Sequence, residues 1–275
     1  MEFKSEKEFL EAYNPNDFER LSMTADLLIL SVSSVDTDNY RKTDKKHMSI
    51  LLAKRDNYPF KDKWSLPGGF MNPKKETLED CAKRVLKDET NLDDIYLEQL
   101  YTFDSIKRDP RMRVVSTAFI ALVDKNRLKS ELKENTSWFD VVEYKEWNNN
   151  VKIVLDNGTD KVTLKLKKEL KEKTTTRYNY ESIENESLAF DHDIVILTGL
   201  ERIRNKISYT DIVFNMMPNY FTLGELQQVY EVILNKKLLD PAFRRMISNK
   251  VEKTERMKTG EGHRPSYLFR YKKWE

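Results

Sequence analysis

The segment from Gly68 to Leu92 combines residue types that can bind metal ions and move protons. Asp88 and Glu89 lie three and four residues after Val85, so all three positions share one face of a helix. Hard cations such as Mg²⁺ prefer carboxylate oxygens, and an arginine such as Arg84 can hold a carboxylate through two parallel hydrogen bonds. The same pattern also fits an ordinary amphipathic helix after a Gly-Gly turn, with its acidic face solvated.

This segment resembles the Nudix box, written Gly-x5-Glu-x7-Arg-Glu-U-x-Glu-Glu-x-Gly-U with U an aliphatic residue. In that family the acidic positions hold Mg²⁺ or Mn²⁺, and the metal ions polarise a diphosphate and help generate the attacking hydroxide. The present sequence matches the box at four of its charged positions, with aspartate in place of glutamate at one of them. The resemblance implies catalytic positions at Glu76, Arg84 and Glu89, metal ligands at Asp88 and Glu89, and ligand contacts at Gly68 and Gly69.

Two departures from the box predict that hydrolysis is weak or absent. Val85 stands where the family has its central glutamate, and a valine can neither ligate a metal ion nor move a proton. One extra residue also separates Gly69 from Glu76. Because loss of a catalytic acid or base typically lowers a rate by orders of magnitude, we expect a degenerate site. Mg²⁺ is a possible cofactor, but its binding is expected to be weak or lost. No organic cofactor is expected.

A second stretch, Arg108 to Val114, narrows the resemblance. Together with residues 97–103 it is similar to the ADP-ribose-directed branch of the Nudix superfamily, which includes Nudix-related transcriptional regulators with a C-terminal winged helix. This resemblance implies a ligand that is ADP-ribose or a related sugar or nucleotide. It also implies ligand contacts at Arg108, Asp109 and Arg111, although these side chains could instead cap a loop between two strands.

The C-terminal part has the element order of a winged helix-turn-helix. Thr222 and Glu225 fit a capping box at the start of one helix. The pair Asp240-Pro241 predicts an N-cap and the first residue of a second helix. Two strand-like runs then flank the turn at residues 260–262, which predicts a hairpin.

Positive charge is concentrated in this same part of the chain. From residue 241 to residue 275 there are ten Lys or Arg residues against four Glu, in a chain whose net charge is +2. Localised positive charge is typical of nucleic-acid binding. Basic tails also act as solubility features, and winged helices also dock proteins. We predict a recognition helix at 241–250 and DNA contacts from Arg244, Arg245, Lys250 and Arg264.

The elements that must position these residues predict two domains. Apolar runs of strand length occur at 25–32, 48–53, 96–103 and 114–123, and a helix is predicted from about Thr77 to Thr90. The fold class is therefore α+β or α/β, with an N-terminal Nudix α/β/α sandwich built on a mixed sheet and a C-terminal winged helix. We predict a Nudix-like domain at 1–160, the end of a hairpin and a linker at 161–190, and the winged helix domain at 191–275.

Composition restricts the cellular location of the protein, and the motifs leave two functions to compare. The chain of 275 residues has one cysteine, Cys81, so no intrachain disulfide can form, and a cytoplasmic location without a membrane span is expected. The preferred hypothesis is a ligand-responsive transcriptional regulator that binds operator DNA as a homodimer. The alternative is a Mg²⁺-dependent hydrolase of ADP-ribose or another nucleoside diphosphate-linked substrate, with its base supplied by an acid such as Glu98, Asp140 or Glu143.

Overall fold

The protein is organised around one large mixed sheet followed by a small helical part with a two-stranded wing. The computed structural model describes residues 5–35, 45–92, 95–125, 128, 132–174, 177–185, 187–260 and 263–272. In chain order the elements are α1 (Glu6–Ala12), β1 (Ser22–Val35), β2 (Lys45–Lys54), β3 (Trp64–Ser65), β4 (Gly68–Phe70), α2 (Leu78–Thr90), β5 (Tyr96–Phe103), β6 (Val114–Leu122), β7 (Thr136–Trp147), β8 (Asn150–Asp156), β9 (Lys161–Glu172), β10 (Arg177–Glu184), α3 (His192–Lys206), α4 (Leu223–Leu234), α5 (Asp240–Ile247), β11 (Val251–Gly260) and β12 (His263–Tyr271).

The large sheet has the strand order β10-β9-β8-β7-β2-β1-β6-β5, and the short strands β3 and β4 pair with β2 and β1. The pair β1 and β6 is parallel, with Leu27 opposite Phe119, whereas the other strand pairs are antiparallel. The sheet is therefore mixed, as predicted. Because β1 and β6 run in parallel, with Ser22 opposite Val114, the loops that precede these two strands end at the same edge of the sheet. The Gly-Gly turn lies beside this edge, because its strand β4 pairs with the start of β1.

Helices cover both faces of the sheet because side chains along its central strands alternate in direction. Leu27 and Ile29 of β1 pack under α2, whereas Leu28 and Leu30 pack toward α3 and α4, and all four are fully buried. An unbroken apolar run such as the one in β1 is the pattern of a strand buried on both faces. The predicted α/β/α sandwich is confirmed.

Strands β9 and β10 correct the prediction for residues 161–190. That segment was expected to hold the end of a hairpin and a linker, but most of it forms two further strands of the large sheet. Val162, Leu164 and Leu166 are fully buried at every second position of β9. This first part of β9 is the predicted hairpin strand, whereas its continuation to Glu172 and the strand β10 replace the expected linker.

The C-terminal part forms a winged helix. Helices α4 and α5 precede the antiparallel hairpin β11–β12, and Phe221 joins the hairpin through two backbone hydrogen bonds with Phe269. The capping box of α4 is present as predicted, with Thr222 and Glu225 bonded reciprocally. The predicted N-cap of α5 is wrong by one residue. Leu239 is the N-cap, because Asp240 is already helical. The Asp240 carboxylate instead accepts a hydrogen bond from Gln227 at 2.9 Å.

Helix α2 carries the box residues and begins and ends as its sequence predicts. Thr77 and Asp80 form a reciprocal capping box, and Asn91 closes the helix in the left-handed conformation at φ 51°. Cys81 is fully buried in the core beneath the helix, as expected for a small apolar side chain. Among the described residues, no helix is long and apolar enough to cross a membrane.

Candidate functional site

A cleft of about 310 Å³ opens where β1, the Gly-Gly turn, the loop after β5 and the start of α3 meet. It contains all five residues predicted to bind ligand and one of the predicted metal ligands. The side chains and turn residues that matter for its chemistry are Asp26, Arg55, Gly68, Gly69, Glu89, Arg108, Asp109, Arg111, Phe190 and His192.

The Gly-Gly turn leaves room for this cleft because neither residue has a side chain. A Cβ at Gly68 would overlap the Asp26 carboxylate, and a Cβ at Gly69 would come within 3.2 Å of the Val85 Cγ2 atom. Both glycines therefore allow a close approach between the backbone of β4 and its neighbours. The contact also places Val85 directly behind the Gly69 wall of the cleft.

Arg84 and Glu76 form the two-bond pair that the box resemblance implies. Arg84 Nε and Nη2 lie 3.1 and 3.0 Å from the two carboxylate oxygens of Glu76. The hydrogen bond from Arg84 lowers the pKa of Glu76 below its ordinary value of 4.5. Arg84 Nη2 also donates to the Phe70 carbonyl at 3.2 Å. This arginine thus ties Glu76 to β4, so both side chains are already engaged.

The remaining box positions do not form a three-carboxylate metal site. Val85 is buried in the apolar core with 5% of its surface exposed, and Asp88 lies exposed on the helix. Glu89 Oε1 accepts from Lys133 Nζ at 2.8 Å, whereas Glu89 Oε2 is buried with no hydrogen-bond partner among the described residues. Within the described parts of the chain no group of three or more His, Cys, Asp or Glu could hold a metal ion. The residues present do not fit the family's catalytic metal arrangement.

Arg108 is the centre of a buried charged group that we call the Arg108 cluster, made of Arg108, Asp26, Asp191 and His192. The guanidinium donates from Nε and Nη2 to the two oxygens of Asp191 at 3.1 and 2.8 Å. Its Nη2 also donates to Asp26 Oδ2 at 3.2 Å, and only 4% of the Arg108 side chain is exposed. Arginine suits such a position because its planar donors match carboxylates and phosphates.

The other two members fix the charge of the cluster. Burial raises the pKa of Asp26, but His192 and Arg108 lower it more, so the net pKa lies below the ordinary value of 3.8. His192 Nδ1 accepts a hydrogen bond from the Leu66 amide at 2.9 Å, and its Nε2 lies 3.7 Å from Asp26 Oδ2. Asp26 is therefore a buried anion shared by two neighbours.

Arg111 and Asp109 are paired with each other at the rim of the cleft. Arg111 Nε and Nη2 donate to the two oxygens of Asp109 at 3.0 and 2.7 Å, and the Arg111 amide donates at 2.9 Å. Asp109 is buried, whereas 39% of the Arg111 side chain is exposed and lies over the Phe70 ring. Their pairing fits the alternative in which these residues cap a loop between strands, and a ligand contact from them stays a prediction.

Sequence reasoning missed four residues of the cleft. Arg55 donates from Nε to the Pro59 carbonyl at 2.8 Å and lies over the Phe190 ring, while burial and then the nearby Arg111 lower its pKa. Asp26 and His192 belong to the Arg108 cluster, and Phe190 adopts a left-handed φ of 56°. A charged residue inside the apolar run of β1 was the one signal that could have identified Asp26.

The acids proposed as substitute bases lie elsewhere. Glu98 pairs with Lys206, Asp140 accepts from Ser49, and Glu143 accepts from Lys152 at 2.9 Å. None of the three lines the cleft. The hydrolase alternative therefore gains no base from these positions.

The DNA-binding residues predicted from the basic tail fall into different environments. Arg244 and Arg245 are exposed on α5, and no described residue pairs with either guanidinium. Lys250 instead pairs with Asp211 at 2.7 Å and is mostly covered. The backbone of Arg264 lies in β12, but its side chain is outside the described part of the protein.

Other basic side chains of the wing contact acidic or aromatic residues of the same domain. Lys258 donates to Glu225 at 2.6 Å, and Arg270 pairs with Glu252. Arg256 stacks on Tyr220 with its guanidinium carbon 4.1 Å from the ring centre. Among the described residues of the winged helix, Arg244 and Arg245 of α5 are exposed cations that have neither an acidic nor an aromatic partner.

Comparison with known proteins matches both parts of the chain. Residues 37–157 match the NUDIX domain, and residues 213–271 match the NrtR DNA-binding winged helix domain. The protein is 34% identical over 272 residues to the "ADPR responsive transcriptional repressor NtrR" of Acinetobacter baylyi, which covers 98% of this chain and 89% of that protein.

Solved structures agree with this match over nearly the whole length. A MutT/nudix family protein from Enterococcus faecalis has a TM-score of 0.69 at 25% identity, covering 98% of this chain and 94% of the other. Shewanella oneidensis NrtR in complex with a 27mer DNA has a TM-score of 0.64 at 25% identity, covering 91% and 93%. The chain therefore belongs to the family of Nudix-related transcriptional regulators that join a NUDIX domain to an NrtR-type DNA-binding winged helix.

Proposed function

We propose that this protein is a transcriptional regulator that senses ADP-ribose, or a closely related nucleotide sugar, through a degenerate Nudix domain and binds operator DNA through its winged helix. The observation that carries the proposal is Val85, which is buried behind the wall of a cleft whose cationic side chains are retained. A site that keeps phosphate-binding groups but lacks the central carboxylate is suited to binding rather than to turnover.

The cleft has the donors that a diphosphate needs. Arg55, Arg108 and Arg111 all line it, and guanidinium groups bind phosphate oxygens through paired hydrogen bonds. Phe190 and Phe70 add aromatic surface at the same rim, which suits the apolar faces of a ribose or an adenine. The repressor of Acinetobacter baylyi is described as responsive to ADP-ribose, and we extend that ligand to this chain.

We propose that hydrolysis is absent or very slow. A general base typically contributes about 10²- to 10⁴-fold to a rate, and neither Val85 nor the substitute acids supplies one beside the ligand. Mg²⁺ binding is expected to be weak, because Glu76 is held by Arg84 and Glu89 by Lys133. The unpartnered Oε2 of Glu89 is the one feature that favours residual cation binding.

We propose that α5 enters the major groove and that Arg244 and Arg245 contact phosphates or guanine bases. Operators of this kind are read as two half-sites by two-fold symmetric dimers, so we propose a homodimer. The likeness to Shewanella oneidensis NrtR in complex with DNA supports this use of the winged helix. Access to DNA and a single thiol fit a cytoplasmic protein.

One set of measurements tests this function. The protein would select its own duplex from a randomised DNA pool, and fluorescence anisotropy would then measure binding of that duplex with and without ADP-ribose. ADP-ribose binding would be measured by calorimetry, and AMP release by chromatography in Mg²⁺. We expect ADP-ribose to bind and to change the affinity for DNA, with no detectable AMP.

A Val85→Glu variant in the AMP assay separates the sensor from the hydrolase. A gain of AMP release only in the variant supports a site disabled at this position. Turnover by the wild-type protein at an ordinary enzymatic rate, on the order of 10 per second, would place the hydrolase first and contradict the proposal. Absence of both ADP-ribose binding and DNA binding would also contradict it.

A further inference from the structure

One wall of the ligand cleft belongs to the helix that leads into the winged helix. Asp191 is the residue directly before α3, and both of its carboxylate oxygens bind Arg108. The residues on either side of it, Phe190 and His192, line the cleft. The start of α3 is therefore built into the site where a diphosphate would bind.

Charge in the Arg108 cluster does not leave room for another anion. One guanidinium already faces two carboxylates, those of Asp191 and Asp26. Asp26 is not easily displaced from Arg108, because it lies in the middle of the sheet. Its carboxylate accepts hydrogen bonds from Ser116 as well as from Arg108. A diphosphate that approached Arg108 would bring further negative charge next to these two carboxylates. Because the cluster is shielded from water, the like charges would repel each other strongly. Asp191, at the edge of the cluster, is the partner that can be displaced.

The backbone of Asp191 is joined to α3, because its carbonyl accepts hydrogen bonds from the Ile194 and Val195 amides at 3.0 and 3.2 Å. The hydrogen bonds that join this segment to the residues before the Gly-Gly turn lie on either side of Asp191. The Ala189 amide donates to the Trp64 carbonyl at 2.8 Å, and the Leu66 amide donates to His192. Between these contacts Phe190 holds a left-handed φ of 56°, a conformation that residues with a side chain rarely adopt. The Asp191 side chain also forms no N-cap hydrogen bond to α3, so its carboxylate is committed to Arg108.

A change at this end of α3 reaches the DNA-binding part through packed contacts. Helix α3 has 15 residues, which corresponds to a rod of roughly 22 Å. Near its other end Arg204 Nε donates to the Ile233 carbonyl of α4 at 2.9 Å, and Ile203 shares one buried core with Leu226 and Phe243. A packed core of this kind transmits displacement of a helix rather than absorbing it.

We propose that Asp191 senses the ligand: a diphosphate that binds Arg108 displaces the Asp191 carboxylate and releases the first turn of α3 from the Nudix domain. The inference rests on the proposed function, since it names the contact through which ADP-ribose changes operator binding. Linkage requires that operator DNA change the affinity for ADP-ribose by the same factor.

An Asp191→Asn variant removes the charge while keeping the size of the side chain. We expect it to bind ADP-ribose at least about fivefold more tightly, because the ligand no longer competes with a charged hydrogen-bond partner of Arg108. We also expect its operator affinity without ADP-ribose to match that of the wild-type protein saturated with ADP-ribose. Addition of ADP-ribose should then change its operator affinity less than about twofold, about 0.4 kcal/mol at room temperature.

Asp104→Asn is the matched control. Asp104 lies exposed in the same loop as Arg108 and does not line the cleft. This variant makes the same chemical change without touching the Arg108 cluster, so it should keep the wild-type affinities and the wild-type response.

The outcomes separate the inference from the function on which it rests. A wild-type protein that binds neither ADP-ribose nor DNA contradicts both. A wild-type protein that responds, beside an Asp191→Asn variant that responds equally, overturns the role of Asp191 alone. If the variant does not fold, hydrogen exchange of the wild-type peptide 192–200 decides: exchange should speed up with ADP-ribose, and unchanged or slower exchange overturns the inference.

Discussion

Substitution of Gly199 by alanine should destabilise the protein, although alanine is the better helix former. Gly199 is buried in the middle of α3, where the helix approaches β1 most closely. A Cβ at this position would overlap Leu28 Cδ2 and would lie 3.4 Å from Leu100 Cδ2. Leu28 is fully buried in the central strand, so it has little space into which it can rotate.

Two opposing effects set the size of the change. Replacing glycine by alanine in a helix favours folding by about 1 kcal/mol. Overpacking of a closely packed core typically costs about 1–3 kcal/mol. Because Leu28 and Leu100 both flank the added methyl group, we place the cost at the upper end of that range. The expected net loss is about 1–2 kcal/mol in the free energy of unfolding.

Gly224→Ala provides the control for helix propensity. Gly224 is exposed in the first turn of α4, and the nearest atom to an added Cβ is the Thr222 hydroxyl oxygen at 4.0 Å. Here only the propensity effect remains, so stability should rise by up to about 1 kcal/mol. The two variants make the same chemical change and should shift stability in opposite directions.

Thermal unfolding followed by circular dichroism would measure both variants. For a protein of this size about 1 kcal/mol corresponds to roughly 2–4 °C in Tm, so Gly199→Ala should lower Tm by several degrees. A Gly199→Ala protein as stable as the wild type, or more stable, would show that α3 does not pack on Leu28 as described. The same result would undermine the inference that α3 carries displacement from the cleft to α4.

Three further predictions concern the winged helix and the core. Arg244→Ala and Arg245→Ala should each reduce the slope of log affinity for DNA against log salt concentration by about 1, whereas Lys250→Ala should leave the slope nearly unchanged and lower stability, because its ammonium pairs with Asp211. Burial raises the pKa of Glu225, but hydrogen bonds from Lys258 and Thr222 lower it more, to a net value below 4.5. Its stabilising effect should therefore be present above pH 4.5 and be lost as the pH falls through the folded pKa, so urea titrations of the wild type and Glu225→Gln should converge in acid. Burial raises the pKa of the Cys81 thiol, so a thiol reagent should label it at neutral pH only on unfolding, and rapid labelling of the folded protein would contradict its placement.

Local patterns predicted the elements that depend on local physics. The limits of α2 followed from Thr77 at one end and Asn91 at the other, and both caps are present in the structure. The box resemblance implied a two-bond contact between Arg84 and a carboxylate, and the structure gives Glu76 as the partner. Such features depend on residues that lie close in sequence or on one helix face, so a single chain is sufficient to predict them.

Contacts between distant segments could not be predicted in this way. Asp191 and His192 reach Arg108 and Asp26 only because the sheet and α3 fold against each other. No pattern within residues 185–195 indicates that His192 lines a ligand cleft or that Asp191 pairs with a residue of that cleft. The second half of β9 and the strand β10 were missed because Lys, Thr, Asn and Glu dominate the composition of residues 165–186, which predicted a linker.

The ion pairs in and beside the wing affect how the protein finds its operator among the other sites of a genome. Lys250, Lys258 and Arg270 each pair with an acidic neighbour, so three of the tail's ten cations attract the phosphates of any sequence less strongly. Weak attraction of that kind shortens the time spent on the vast excess of decoy sites, which number about 10⁶–10⁹ in a genome. The occupancy of the true operator then depends more on contacts specific to its sequence, which we assign to Arg244 and Arg245 of α5. A shift of α5 would therefore lower that occupancy.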